Sequence, residues 1–241
     1  MKWALIVGAS GDIGQAVAEQ LASAGWSLYL HYFNSQKKIS NTRNRLTELY
    51  PKQDFLTLQA DFTNERAAEQ LSANLFAVDA VIFAQGTTSY GLFQQQDPDA
   101  LKKMLQMQVI VPTRLLQLLE TKLAANHFGR IVFVGSVYGG SGSAMEVGYS
   151  TVKGALTAFS AAYSKEVASL GITVNVIAPG AVATRMNQVF STEEKAAVAA
   201  DIPVGRFAQS TEIAYWIKAL VAQAAGYLTG QTIYVTGGWL K

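Results

Sequence analysis

The 241-residue chain contains no cysteine, which excludes disulfides, thiol nucleophiles and cysteine-held metal sites. Histidine is nearly as scarce. The two present, His31 and His127, lie far apart with no ligand-spaced partners, and no metal centre is expected. Charge is sparse as well: 15% of residues are charged and the net is +2, so nothing calls for nucleic acid or an anionic membrane as a partner. No apolar run approaches the ~18 residues of a membrane span. Met1-Lys2-Trp3 leads into a strand pattern rather than a signal peptide, and a cytoplasmic protein is expected. Apolar material, by contrast, is plentiful. Half the residues are hydrophobic, enough for a large core and for subunit contacts besides, and the length suits a single α/β domain over 1–241.

Short apolar runs alternate with amphipathic segments. Strands are expected at 3–7, 26–32, 54–59, 79–84, 130–135, 172–177 and 232–235. Helices are expected at 13–24, 36–50, 64–76, 97–125 with an interruption near Pro112, 149–169, and 211–224 with Ser210 as its cap. This alternation implies a parallel sheet covered on both faces by right-handed crossovers, with ligands at the carboxyl ends of the strands. The polar, aromatic stretch between Gly86 and Pro98 reads as a loop bordering substrate, and the alanine-rich stretch 185–203 as a mobile helical lid.

The candidate site residues fall at strand ends and in the helix starts that follow. Residues 8–14, Gly-Ala-Ser-Gly-Asp-Ile-Gly, join the first strand to the first helix. Such a turn aims backbone N–H groups and a helix amino terminus at an anion, and Gly8, Gly11 and Gly14 let a pyrophosphate come close; a tight turn with no ligand is the plain alternative. The end of the second strand decides cofactor flavour, because a carboxylate there accepts from a ribose 2′-OH while a phosphorylated ribose prefers cations. The chain reads His31-Tyr-Phe-Asn34-Ser-Gln-Lys37-Lys38, with no acid and two lysines, which favours NADPH over NADH unless the lysines merely solvate the next helix. Asp61 is placed to accept from an adenine amino group or, like Asn64, to cap a helix. Gln85-Gly86 lets the chain pass closely under a cofactor, and Thr184, four residues beyond Gly180, carries a hydroxyl suited to a carboxamide. Tyr149 and Lys153, four apart at a helix start, share one face. An ammonium beside a phenol lowers the tyrosine pKa below its usual ~10, the direction a proton donor near neutrality needs. By spacing alone, a packed Tyr and a solvated Lys fit equally. Ser136, closing the fifth strand, is positioned for the same substrate oxygen.

The glycine loop 8–14, Asp61, Gly86, Ser136 thirteen residues before Tyr149, Tyr149-x-x-x-Lys153, Pro179-Gly180 and Thr184 together resemble the short-chain dehydrogenase/reductase family over essentially the whole chain. The resemblance implies a doubly wound, mostly parallel seven-stranded Rossmann-like α/β sheet and an NADPH-dependent ketone reductase. It makes Tyr149 the proton donor, has Ser136 position the carbonyl, and has Lys153 hold the nicotinamide ribose while tuning Tyr149. It also brings Ser10, Asp12 and Ile13 of the loop, Asn34 after the second strand, Phe62 beside Asp61, and Val182 before Thr184 to the dinucleotide. The ending 230–239 is similar to the strand through which many members assemble, so a homo-oligomer, dimer or tetramer, is expected.

Three positions depart from the family pattern. Asp12 stands for the middle glycine of the loop, and Phe83-Ala84-Gln85-Gly86 stands for Asn-Asn-Ala-Gly. Gln108 takes the place of the Asn that relays protons from Lys153 through a water, and its longer amide is expected to serve a shifted relay. Within the family, residues 202–214 and the Gly-Gly-Trp end resemble 3-oxoacyl-acyl-carrier-protein reductases. Asn126-His127 and Ser169-Leu170 stand where those carry basic docking residues. The loop and Glu146-Val-Gly-Tyr149 also resemble a bacterial branch that reduces a 5-aminopentanone group on elongation factor P. There Glu146 would pair with the amine, unless it is simply favoured by the helix dipole. A catalytically weak dinucleotide-binding regulatory protein is the reading that Asp12, Gln85 and Gln108 leave open.

Overall fold

Successive residues of a strand point to opposite faces, so each central strand feeds two cores. The first strand, Lys2–Val7 (β1), sends Ala4 and Ile6 to one face and Trp3, Leu5 and Val7 to the other. The computed structural model describes residues 1–185 and 191–239, and residues 186–190 of the expected lid lie outside the described residues. Around β1 the sheet is completed by Trp26–Tyr32 (β2), Phe55–Gln59 (β3), Ala80–Phe83 (β4), Gly129–Val134 (β5), Ile172–Pro179 (β6) and Thr232–Val235 (β7). The order is β3-β2-β1-β4-β5-β6-β7, and every pairing is parallel. Strands β2, β4, β5 and β6 are buried at every position, as strands covered on both faces must be.

Three helices cover one face: Asp12–Ser23 (α1), Gln36–Leu49 (α2) and Ser210–Leu220 (α9), which contribute Val17, Leu21, Ile39, Leu46, Ile213 and Ile217 to its core. The other face is covered by Ala67–Ser72 (α3), Val111–Ala124 (α5) and Val147–Val167 (α7), through Leu71, Leu115, Leu119, Leu156 and Val167. Pro98–Leu105 (α4), Tyr138–Ser141 (α6) and Thr192–Asp201 (α8) complete the helices among the described residues. β1 pairs with β2 on one side and β4 on the other, so the chain's direction of winding reverses there. A crevice opens at that switch, beyond the carboxyl ends of β1 and β4.

Several element boundaries differ from expectation for identifiable reasons. The interruption expected near Pro112 lies just upstream, as a π-helical turn over Gln106–Ile110, while Pro112 itself sits in the first turn of α5. Proline has no N–H for the carbonyl four residues back, here Gln108, and its ring crowds that carbonyl, so the ladder widens before it. The helix expected at 64–76 is only α3, because Asn64 Oδ1 accepts from the Arg66 N–H at 2.9 Å and residues 64–66 go into a turn. Ser210 does not cap α9. Gln209 is the cap residue, and its backbone N–H donates to Glu212 Oε2 at 2.8 Å. Within the expected lid, the described part forms α8, opened by Ser191 and Glu194 in a reciprocal capping box, with no buried side chain.

Candidate active site

The glycine turn is drawn in as tightly as its residues allow. Gly8 has φ 81°, and a Cβ there would lie 2.8 Å from the Gln85 backbone nitrogen; a Cβ on Gly14 would lie 2.3 Å from the Gly8 carbonyl oxygen. Glycine at these two positions lets the turn fold under itself and against the loop after β4. The amino end of α1 thus becomes one wall of a cleft of about 700 Å³, lined there by Gly11, Asp12 and Ile13. This close-packed turn before a helix start fits the phosphates of a dinucleotide.

Asp12 places a carboxylate where an anion would bind, but it brings two cations with it. Its Oδ1 is 3.2 Å from both Lys38 Nζ and Arg185 Nε, and its Oδ2 accepts from the Arg185 backbone N–H at 2.8 Å. Arg185 also donates to the Ser10 carbonyl at 3.0 Å. Burial pushes the Asp12 carboxyl up, but the bonds from Arg185 and Lys38 outweigh it and hold the group below the usual carboxylate range. One carboxylate against two cations leaves the mouth of the turn positive. Arg185 is a site residue that sequence reasoning missed, since nothing local links it to a partner 173 positions away.

Across the cleft, β5 and α7 bring the reactive side chains together. Gly135 N–H donates to the Ile177 carbonyl and Val137 N–H to the Pro179 carbonyl, fixing Ser136 between them. Ser136 lies beside the Tyr149 phenol and acts to lower its pKa, and its own oxygen accepts from the Tyr138 N–H at 3.2 Å. Lys153 is buried and donates to the Val134 carbonyl at 2.9 Å, with its Nζ 5.5 Å from the centre of the Tyr149 ring. The expected lowering of the Tyr149 pKa is not found. Burial pushes it up to about 12, and Glu146 and Tyr138 add to the rise while Ser136 opposes it. Lys153 does not reverse the rise: burial brings its own pKa down to about 8, and its Nζ donates to a backbone carbonyl.

The π turn supplies the remaining polar groups. Gln108 is 1% exposed; its Nε2 donates to the Thr87 carbonyl at 3.1 Å and its Oε1 is buried without a partner. That oxygen and Lys153 Nζ meet at Gly86, whose Cβ, if it had one, would lie 3.1 Å from the former and 3.6 Å from the latter. Gln85 Nε2 donates to the Met107 carbonyl at 3.2 Å, so both glutamines tie the loop after β4 to the π turn.

Of the expected residues, Ser136, Tyr149, Lys153, Gln85, Gly86, Pro179, Gly180, Val182 and Thr184 do line the cleft. Others do not. Gly8 and Gly14 shape the turn from behind, and Ser10 contributes its carbonyl to Arg185. The Asn34 side chain is exposed, Phe62 is buried in the core, and Asp61 Oδ1 accepts from both the N–H and the hydroxyl of Thr63, at 2.9 and 2.8 Å. Asp61 therefore closes a turn rather than capping α3. Thr87, Thr88 and Tyr90, in the loop after β4, also line the cleft.

Comparison with known proteins gives concordant results. The sequence pattern described as Enoyl-(Acyl carrier protein) reductase matches residues 8–240. The uncharacterised oxidoreductase YmfI of Bacillus subtilis is 38% identical over 239 residues, covering 99% of this chain and 98% of that protein. The 3-oxoacyl-[acyl-carrier-protein] reductase FabG of Salmonella typhimurium is 32% identical over 237 residues, covering 98% and 96%. Among solved structures, YwfH, an NADPH-dependent reductase involved in bacilysin biosynthesis, superposes with a TM-score of 0.91 over 98% of this chain and 97% of its own, at 23% identity. That likeness is one of fold.

Proposed function

The chain belongs to the short-chain dehydrogenase/reductase family of NAD(P)H-dependent oxidoreductases, and on that premise we propose that it is an NADPH-dependent ketone reductase acting on 3-oxoacyl thioesters. The observation that carries the reading is Ser136, Tyr149 and a buried Lys153 brought together in a cleft whose opposite wall is a tightly folded glycine turn. The hydride is supplied by the reduced nicotinamide when it is bound. Ser136 holds the substrate carbonyl oxygen in line with the Tyr149 hydroxyl, and Tyr149 delivers the proton as charge develops there. A phenol with a pKa near 12 is fully protonated at neutral pH, and an alkoxide is the stronger base, so the transfer runs downhill. Lys153, with a pKa near 8, is still mainly charged at neutrality and stabilises the phenolate that is left. The unpartnered Gln108 Oε1 near Lys153 serves the shifted water relay back to solvent. NADPH is preferred over NADH because the end of β2 carries no acid, while Lys38 reaches the glycine turn. The protein assembles as a cytoplasmic homo-oligomer through the edge of the sheet at β7.

A second reading has its own observation. Glu146 accepts from the Thr88 hydroxyl at 2.7 Å, and its charge is felt at both Tyr138 and Tyr149. A carboxylate that close to the proton donor suits a ketone bearing an amine, such as a 5-aminopentanone group on elongation factor P. The test is NADPH oxidation, followed by absorbance, with a 3-oxoacyl thioester and in parallel with ketone-modified elongation factor P. Turnover of the thioester, reduced roughly 10²–10⁴-fold in Tyr149→Phe, is expected. Turnover of the modified protein alone would shift the assignment to the aminoketone. Silence on both, with NADPH still bound, would mark a regulatory dinucleotide-binding protein.

A further inference from the structure

His31 is a buried titratable group that the proposed chemistry leaves unused. It is 4% exposed, on the β2 face that packs toward Val7 and Phe62, and its ring centre lies 4.8 Å from that of Phe62. Its backbone carbonyl accepts from the Ala9 N–H at 2.9 Å. Its ring Nδ1 is 3.1 Å from the Gly8 backbone nitrogen, and its Nε2 is 3.1 Å from the Ala60 carbonyl oxygen. A backbone N–H only donates and a carbonyl only accepts, so the two partners dictate the tautomer: Nδ1 is bare and Nε2 carries the hydrogen. Burial lowers the pKa of the ring to about 4, which keeps it neutral near pH 7 and the Nδ1 lone pair free for Gly8. The two groups it joins belong to different loops, at the carboxyl ends of the two strands that flank β2. Gly8 opens the glycine turn, and Ala60 precedes Asp61 and Phe62 at the end of β3.

We propose that His31 is a positioning residue for the dinucleotide, a neutral Nε2–H imidazole that pins the first amide of the glycine turn and spaces that turn from the end of β3. The proposal rests on the cofactor reading above. Without the ring, the Gly8 N–H loses the acceptor it has on His31, and the turn, held at a positive φ beside Gln85, is free to shift. Since the ring touches neither Tyr149 nor Lys153, its loss acts on cofactor binding rather than on the chemical step.

The test compares His31→Asn, whose amide takes the place of Nδ1, with His31→Gln, whose amide takes the place of Nε2. NADPH titrations followed by fluorescence should give a dissociation constant within about threefold of wild type for His31→Asn. His31→Gln should bind about tenfold more weakly, about 1.4 kcal/mol. In both, kcat at saturating NADPH should match wild type. Nitrogen-15 NMR of the wild-type ring at pH 7 should show Nδ1 unprotonated and Nε2 protonated. Wild-type affinity in both variants, equal weakening in both, or a fall in kcat with unchanged affinity would overturn the proposal. So would the opposite tautomer or an imidazolium, a result that stands even if the variants fail to fold. Wild-type protein that bound no NADPH would overturn the cofactor reading itself, which a defect confined to the variants does not.

Discussion

At Lys153 and Tyr149, burial and charge act against each other. Spacing predicts a tyrosine made more acidic by its lysine, whereas desolvation shifts both groups toward their neutral forms, bringing the phenol to about 12 and the ammonium to about 8. The sign of the pH dependence follows. Below about 8 the site carries an ammonium and a phenol, the pair that the proposed reduction needs; above it the ammonium is lost while the phenol stays protonated. We expect kcat/KM for NADPH to be level from pH 6 to 7 and to fall as pH rises through about 8, with the apparent value belonging to the pair. Lys153→Arg should lower the rate but carry the plateau to higher pH, because a guanidinium keeps its charge. A profile flat to pH 10 in the wild type would contradict this account.

Two short elements govern the geometry, and both depart from regular structure. The π turn over Gln106–Ile110 widens the helix so that Gln108 turns inward, and Gln85 and Gln108 fasten it to the loop after β4. The glycine turn depends on missing side chains. Gly14→Ala would set a methyl 2.3 Å from the Gly8 carbonyl oxygen, which has no room to retreat because Gly8 is itself pressed against Gln85. An overpacked backbone of this kind costs about 1–3 kcal/mol. The expected result is a lower thermal midpoint and NADPH binding weakened at least tenfold. Gly11→Ala, with a Cβ 3.2 Å from the same oxygen, should be milder in both respects. Equal effects from the two substitutions would show that the turn is not the tight point.

On the scale of the molecule, the sheet places its switch between β1 and β4 and leaves edges at β3 and β7. An exposed edge invites pairing with another chain, and β7 is only half-buried along its length, with Leu228 39% exposed and Tyr227 fully exposed just before it. These features fit a surface covered by a second copy. Sedimentation should find a homo-oligomer, and Leu228→Asp with Tyr227→Lys should shift it toward smaller species while leaving the melting of the monomer's two cores little changed. A wild-type protein that sediments as a monomer at micromolar concentration would refute the assembly.

The doubly wound sheet, its seven strands and the positions of Gly8–Gly14, Ser136, Tyr149, Lys153 and Thr184 were legible in the sequence alone. They depend on periodicity, on glycine and proline placement, and on spacing within a strand or a helix turn, all of which are local. What tertiary structure decided was whatever depends on distant neighbours or on burial. Asp12 drew in Arg185 from 173 positions away, Phe62 went to the core while Asp61 closed its own turn, and Pro112 opened the helix one turn earlier at Gln108. The same holds for the Tyr149 and Lys153 pKa values and for His31, a strand residue whose ring became a link between two loops. A sequence states which groups exist and how they repeat. Desolvation and long-range hydrogen bonding exist only once the chain has closed around them.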